Sequence, residues 1–147
     1  MKMVAYVDGS FDESRGVYGF GIVAIHSNGA IEIYGGANDN KEFCMLRNVT
    51  GEMLGAMNAT KLAIKLGYDE VEIRYDYNGI EYWVTGDWKA KKIQTIQYRI
   101  AMRKWMDEIS ISFKKVKAHD GDLYNEMADK AAKEAVFSFH KEVKGAD

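Results

Sequence analysis

The stretch MKMVAYVDGS (residues 1–10) decides how the rest of the chain is read. Val4, Ala5, Tyr6 and Val7 are apolar and partly β-branched, so the run reads as a strand built for a core. It ends on Asp8, followed by Gly9 and Ser10. Asp-Gly after a strand has an ordinary meaning, a tight turn. A core strand that delivers a carboxylate at its end has another, because functional sites in sheets with parallel strands form outside the strands' carboxyl ends. The remainder of the chain chooses between the two.

Outward from this stretch, GVYGFGIVAIHSNG (16–29) alternates apolar residues with glycine and meets Asn28-Gly29, a hairpin signal; AIEIYGG (30–36) returns as a third strand. Over VTGEMLGAMNATKLAIKLGY (49–68) the period becomes helical, with Met53, Leu54, Met57, Leu62, Ile64 and Leu66 as the apolar face. Thr50 is the expected N-cap, Glu52 lies in the expected first turn, and Gly67 stops the helix. VEIRYDY (71–77) reads as a fourth strand, ending in a second aspartate, Asp76. NGIEYWVTGDW (78–88) is a short helix closed by Gly86, and IQTIQYRIAMRKWMDEI (93–109) an amphipathic one. SISFKKVKAH (110–119) is a fifth strand and LYNEMADKAAKEAVFSFH (123–140) the last helix. The order β-β-β-α-β-α-α-β-α implies an α/β fold: a five-stranded mixed sheet, three antiparallel strands then two parallel additions, flanked by helices.

The chain has 147 residues, 47% hydrophobic and 29% charged, which fits a single globular domain; we read residues 1–140 as that domain and 141–147 as a frayed tail. No apolar run approaches the ~20 residues of a membrane helix, and the N-terminus lacks a secretory pattern, so a cytoplasmic protein is expected. The single cysteine, Cys44, forms no internal disulfide and reads as a small buried hydrophobe. With one cysteine and three scattered histidines a zinc site is not expected. Net charge is −2 and the pI about 5.9, so any nucleic-acid binding must come from a local basic stripe.

Four acids stand at element ends. Asp8 and Asp76 close strands one and four, Glu52 opens the long helix, and Asp129 lies in the first turns of the last helix. Singly, each has an ordinary explanation as a turn former, a first-turn acid or a solvated helix residue. Gathered at one sheet edge they would repel strongly unless cations neutralised them. Oxygen-only clusters suit Mg²⁺ or Mn²⁺, and two such ions ~3.5–4 Å apart promote phosphodiester cleavage.

In YVDGS (6–10), NVTGEMLGA (48–56), YDYNGI (75–80) and VKAHDGDLYNEMADKAA (116–132), the chain resembles the type 1 ribonuclease H family, from about Val4 to Val136. The resemblance implies an RNase H-like fold and a two-metal endonuclease that cuts the RNA strand of RNA/DNA hybrids, leaving 5′-phosphate and 3′-hydroxyl ends. It implies Asp8, Glu52, Asp76 and Asp129 as metal ligands for two Mg²⁺, with Mn²⁺ as substitute. Asp8 would bridge the ions, Glu52 and Asp76 would complete the one beside the attacking water, and Asp129 the one beside the leaving oxygen. His119, ten positions before Asp129, matches a histidine that assists proton transfer or product departure.

RNA is told from DNA by its 2′-hydroxyls. Backbone groups at Gly9 and Ser10 are expected to reach them, and the resemblance adds Asn48 as a minor-groove contact, Asn78, where the family often has glutamine or asparagine, as a substrate contact, Asn125 as a loop-ordering residue, and loosely Arg47 as a phosphate contact. The basic protrusion many members carry is missing from TGDWKAKKIQTIQYRIAMRKW (85–105); Trp88, Lys89, Lys91 and Lys92 are what remains to carry the DNA strand. Asp12 and Glu13 would hinder a polyanion. Weak, salt-sensitive binding is therefore expected, with an attached or separate hybrid-binding domain to compensate. Trp83 and Trp105 are expected in the core, His26 and His140 on the surface, and the protein as a monomer. The competing readings are a related metal-dependent nuclease with another substrate, such as a resolvase or 3′–5′ exonuclease, and a non-catalytic or partner-dependent nucleic-acid-binding module.

Overall fold

The computed structural model describes residues 1–117 and 122–140. Its elements are β1 (Lys2–Asp12), β2 (Val17–Ile25), β3 (Ile31–Asn38), α1 (Lys41–Cys44), α2 (Asn48–Lys65), β4 (Glu70–Tyr75), α3 (Gly79–Thr85), α4 (Ile93–Trp105), β5 (Ser110–Lys115) and α5 (Leu123–Ser138). The strands form one sheet in the order β3-β2-β1-β4-β5. β1 pairs antiparallel with β2 and parallel with β4; β2–β3 is antiparallel and β4–β5 parallel. The mixed sheet expected from the strand pattern is the one observed.

The reading of Asp8 as the end of β1 is corrected. β1 continues four residues further, pairing with β2 through Asp8↔Gly21 to Asp12↔Val17. Only the parallel ladder to β4 stops short, at Tyr6↔Arg74. Asp8 therefore sits where β1 runs on with β2 at one side and, among the described residues, past the end of its ladder to β4 at the other. The Asp-Gly turn reading fails as well, since Gly9 lies within the strand and the reversal comes at Gly16, with φ +62°. At the second hairpin Gly29 has φ +86°, in a turn closed by Gly29 N–H to the His26 carbonyl (2.9 Å), as the Asn-Gly signal predicted.

Small residues set the distance between helices and sheet. A Cβ placed on Gly51 of α2 would lie 1.9 Å from the Gly19 carbonyl oxygen of β2, and one on Gly9 of β1 would lie 2.1 Å from the Asn48 carbonyl oxygen. The buried sheet-facing stripe of α2 is Gly51, Gly55, Ala59 and Ala63, an i, i+4 series. Of the larger residues expected to form that face, Met53 is buried in the core, Leu54, Met57, Leu62 and Ile64 are half-buried, and Leu66 is exposed. On the other face, Ala128 and Ala132 of α5 press on Gly21 of β2, where a Cβ would meet the Ala128 carbonyl oxygen at 2.2 Å. Met3, Val7, Ile22, Val71, Ile73, Tyr98 and Met102 fill the core on the α2 side.

Other boundaries shift. A one-turn helix, α1, precedes α2; its Asn40 cap accepts from the Glu42 N–H at 3.1 Å. α2 begins at Asn48, two residues before the expected cap; Thr50 is buried and donates instead to the Phe43 carbonyl at 2.6 Å. Glu52 is thus the fifth residue of α2, just past its first turn. α4 stops at Trp105 and β5 at Lys115, both short of expectation. Gly67 and Gly86 end their helices at positive φ as read. His26 is no plain surface residue: its side chain is 10% exposed, with Nδ1 2.8 Å from the Tyr68 hydroxyl and Nε2 2.7 Å from Glu32. His140 is exposed, Cys44 half-buried, and Trp83 and Trp105 half-buried against the core.

The β1–β2 turn also closes α5. Arg15 donates to the Val136 carbonyl at 2.9 Å, which also accepts the Phe139 N–H at 3.3 Å, and to the Phe139 carbonyl, tying the end of α5 to this turn. Arg15→Ala is expected to cost about 1 kcal/mol, read as a lower urea midpoint with unchanged m-value. An unmoved midpoint would show that solvent replaces the arginine without loss.

Candidate metal centre

Three of the four expected acids meet where β4 ends and β1 runs on. Asp8, Glu52 and Asp76 each offer a carboxylate oxygen, and these oxygens lie within 4.8 Å of one another. Each comes from a different element: Asp8 from mid-β1, Glu52 from α2, and Asp76 from the residue after β4. The contact between Gly51 and the Gly9–Gly19 backbone brings α2 close enough for Glu52 to reach this point. Glu52 is 3% exposed and is held by the start of the β4–α3 turn: its Oε1 accepts from the Asp76 N–H (3.0 Å) and the Tyr77 N–H (3.2 Å). Asp8 is 9% exposed and accepts from the Gly9 N–H at 2.9 Å.

The electrostatics follow from crowding. Burial first, then the charge of Asp76, pushes the Asp8 carboxyl up to about 7; the Gly9 N–H opposes the rise and Asp129 adds to it. Burial and Asp76 likewise raise Glu52 well above the carboxylate range, against the two backbone N–H groups. Among the described residues the donor set is all oxygen and self-repelling, with Asp8 and Glu52 buried and Asp76 half-buried, and it contains no histidine or thiolate. That chemistry fits a hard divalent cation such as Mg²⁺ or Mn²⁺.

The fourth acid stands apart from the triad. Asp129, the seventh residue of α5, lies beside Asp8 and favours its protonated form by charge and hydrogen bond. Asp129 Oδ2 also lies 2.9 Å from Lys133 Nζ. His119 lies outside the described residues, as does the 141–147 tail.

The expected substrate contacts line the surroundings. Gly9 spends its N–H on Asp8 and its bare Cα on α2, while Ser10 is half-buried opposite Gly19. Asn48 is exposed at the start of α2 beside Arg47, which has φ +55°. Asn78 caps α3, its carbonyl accepting from Tyr82 N–H at 3.0 Å. Asn125 is buried in the first turn of α5, behind the Asp122 cap. Trp88 is 37% exposed and packs edge-on against Tyr77, Tyr82 and Trp83, with centroids 5.5–6.1 Å apart. Lys89, Lys91 and Lys92 line a cavity of about 280 Å³ with Tyr77 and Trp83, one residue from Asp76. Asp12 and Glu13 are each offset by a cation, Arg15 and Arg47, both at 3.7 Å. A larger cavity of about 590 Å³, with Phe20, Tyr34, Leu62 and Trp105 on its walls, contains none of the acids.

Reading from the residues overlooked three parts of this arrangement: the Tyr77 N–H on Glu52, the Tyr77 and Tyr82 rings around Trp88, and the Lys133 ion pair. Only the last had a signal, the Asp/Lys spacing of four along a helix.

Comparison with known proteins agrees with this geometry. The family model described as RNase H matches residues 1–137. A ribonuclease H of Ehrlichia ruminantium (strain Gardel) is 27% identical over 139 residues, 92% of this chain and 94% of the relative. One from Francisella tularensis subsp. novicida (strain U112) is 29% identical over 146 residues, covering 92% and 91%. Among solved structures, RNase H1 from the halophilic archaeon Halobacterium salinarum superposes with a TM-score of 0.79 at 24% identity, covering 95% of this chain and 100% of that one. LC11-RNase H1, solved in complex with an RNA/DNA hybrid, gives 0.70 at 18% identity, covering 90% and 98%. The two structures speak for the fold, and the match of the family model across nearly every residue completes the case: the chain belongs to the RNase H family.

Proposed function

We propose that this protein is a metal-dependent endonuclease that hydrolyses the RNA strand of RNA/DNA hybrids, leaving 5′-phosphate and 3′-hydroxyl ends. The observation that carries the reading is the meeting of Asp8, Glu52 and Asp76 within 4.8 Å from three separate elements. With Asp129 they would hold two Mg²⁺, or Mn²⁺ in its place. When bound, such ions supply the charge that activates a water and offsets the leaving oxygen.

The chain's own residues do the positioning. Two backbone N–H groups fix one oxygen of Glu52 and leave the other for a ligand. Gly9 N–H does the same for Asp8. Ser10, Asn48 and Asn78 are assigned to the 2′-hydroxyl side of the hybrid, and Trp88 with Lys89 to the DNA strand; the aromatic packing of Trp88 beside three lysines supports the latter. His119 is assigned to proton transfer or to product departure. The reading extends to residues 1–140 as one catalytic domain, acting as a monomer in the cytoplasm and helped by an attached or separate hybrid-binding domain.

The test is gel-resolved cleavage of an end-labelled RNA/DNA hybrid, compared with duplex DNA and duplex RNA. Cuts confined to the RNA strand in Mg²⁺, and stopped by EDTA, are expected. Cleavage of duplex DNA would move the chain to another nuclease class, and binding without cleavage in Mg²⁺ or Mn²⁺ would make it a binding module.

A further inference from the structure

We infer that Lys133 is a positioning residue for Asp129: its ammonium stands where a cation would stand on the fourth acid, and so sets how tightly a second divalent ion binds. The inference rests on the metal-dependent reading above and concerns how that centre fills.

Asp8, Glu52 and Asp76 form one compact oxygen cluster without Asp129. Asp129 adjoins Asp8, yet its Oδ2 is 2.9 Å from Lys133 Nζ, one helical turn along α5. On a plain helix surface an Asp/Lys pair at this spacing is weak. Here one partner flanks a buried acidic cluster, and the lysine feels Asp8 as well as Asp129. Among the described residues, Lys133 is the cation the chain itself supplies to these four acids.

The consequence is unequal filling. An ion held by the triad leaves the Asp129–Lys133 pair intact. An ion that uses Asp129 must displace the ammonium and then tolerate it nearby, a repulsion between like charges. Lys133 is 65% exposed at its side chain, so its removal leaves packing untouched.

Mn²⁺ titration followed by the EPR signal of the free ion tests this without substrate. Wild type is expected to show one tighter and one weaker ion. Lys133→Ala tightens the weaker class about fivefold and leaves the tighter one unchanged. Lys133→Arg, which keeps the charge, behaves as wild type, and Asp129→Asn loses the weaker class. An unchanged weaker class in Lys133→Ala, equal tightening of both, or a single ion in every variant would overturn the inference. Two Mn²⁺ classes that respond as stated, in a wild-type protein that cuts no hybrid, would sink the nuclease reading and leave the role of Lys133 standing.

Discussion

Asp8→Asn is expected to abolish cleavage and, with metal absent, to make the protein more stable. The two effects have one cause. Asp8 is a buried carboxylate facing Asp76 and Asp129, so its charge is unfavourable until a cation arrives. Asparagine keeps the shape and removes the charge. On the proposed reading it also removes a ligand of an ion that would stabilise the transition state by several kcal/mol, so cleavage is expected to fall about a thousandfold or more.

The sign with pH is specific. The folded protein holds the Asp8 proton up to about 7, whereas the unfolded chain releases it near the ordinary aspartate value of 3.8. Between those values the native state binds more protons, so this group's contribution is complete below the lower value and is lost as pH rises through the upper one. Asparagine has no such loss. In EDTA the variant's advantage is therefore expected to grow from pH 4 to pH 8, to about 4 kcal/mol at full expression. Thermal melts of both proteins across that range read it directly. Saturating Mg²⁺ raises the wild-type melting temperature and narrows the gap, because only the wild type gains the ion's full binding energy. A stability difference independent of pH, or full cleavage by the variant, would falsify the assignment of Asp8 to the centre.

Gly51→Ala is expected to destabilise the fold by about 3 kcal/mol, although alanine is the better helix former. A Cβ at this position meets the Gly19 carbonyl oxygen at 1.9 Å and the Gly9 Cα at 2.9 Å, all backbone that cannot turn aside. Relief requires α2 to lift from β1 and β2, and Glu52 is the next residue. The variant should therefore lose the Mg²⁺-dependent rise in melting temperature as well as stability. Gly55→Ala, one turn on, is the control: its nearest neighbour is Val7 Cβ at 3.1 Å, and a change within about 1 kcal/mol is expected there, the helix gain of alanine set against mild crowding. Equal effects at the two positions would show that helix propensity, not close approach, governs this face.

These two residues mark the division between what was legible in the chain and what was not. Periodicity is a local property, and every strand and long helix was visible in it because each buries one face or stripe against the sheet. The four acids stood out for a related reason: a carboxylate beside an apolar run is a local anomaly, and four such anomalies in one order resembled a family. The short α1 carried no such signal, since one turn makes no period and is held by the Asn40 cap. Nor did the packing face of α2, because large apolar residues dominate a hydrophobic pattern while glycine and alanine make the closest contact.

By itself the sequence determined the order of the strands and long helices, the sheet class, the family, and Asp8, Glu52 and Asp76 as acids that meet. Only the tertiary structure decided that Asp8 lies within its strand, that Glu52 is fixed by the backbone of Asp76 and Tyr77, and that Asp129 stands beside the triad rather than in it. The physical reason is range. Patterns of burial repeat every two or every 3.6 residues and are written along the chain. The distance between carboxylates, and hence their charge and their readiness for metal, depends on how closely elements tens of residues apart approach one another.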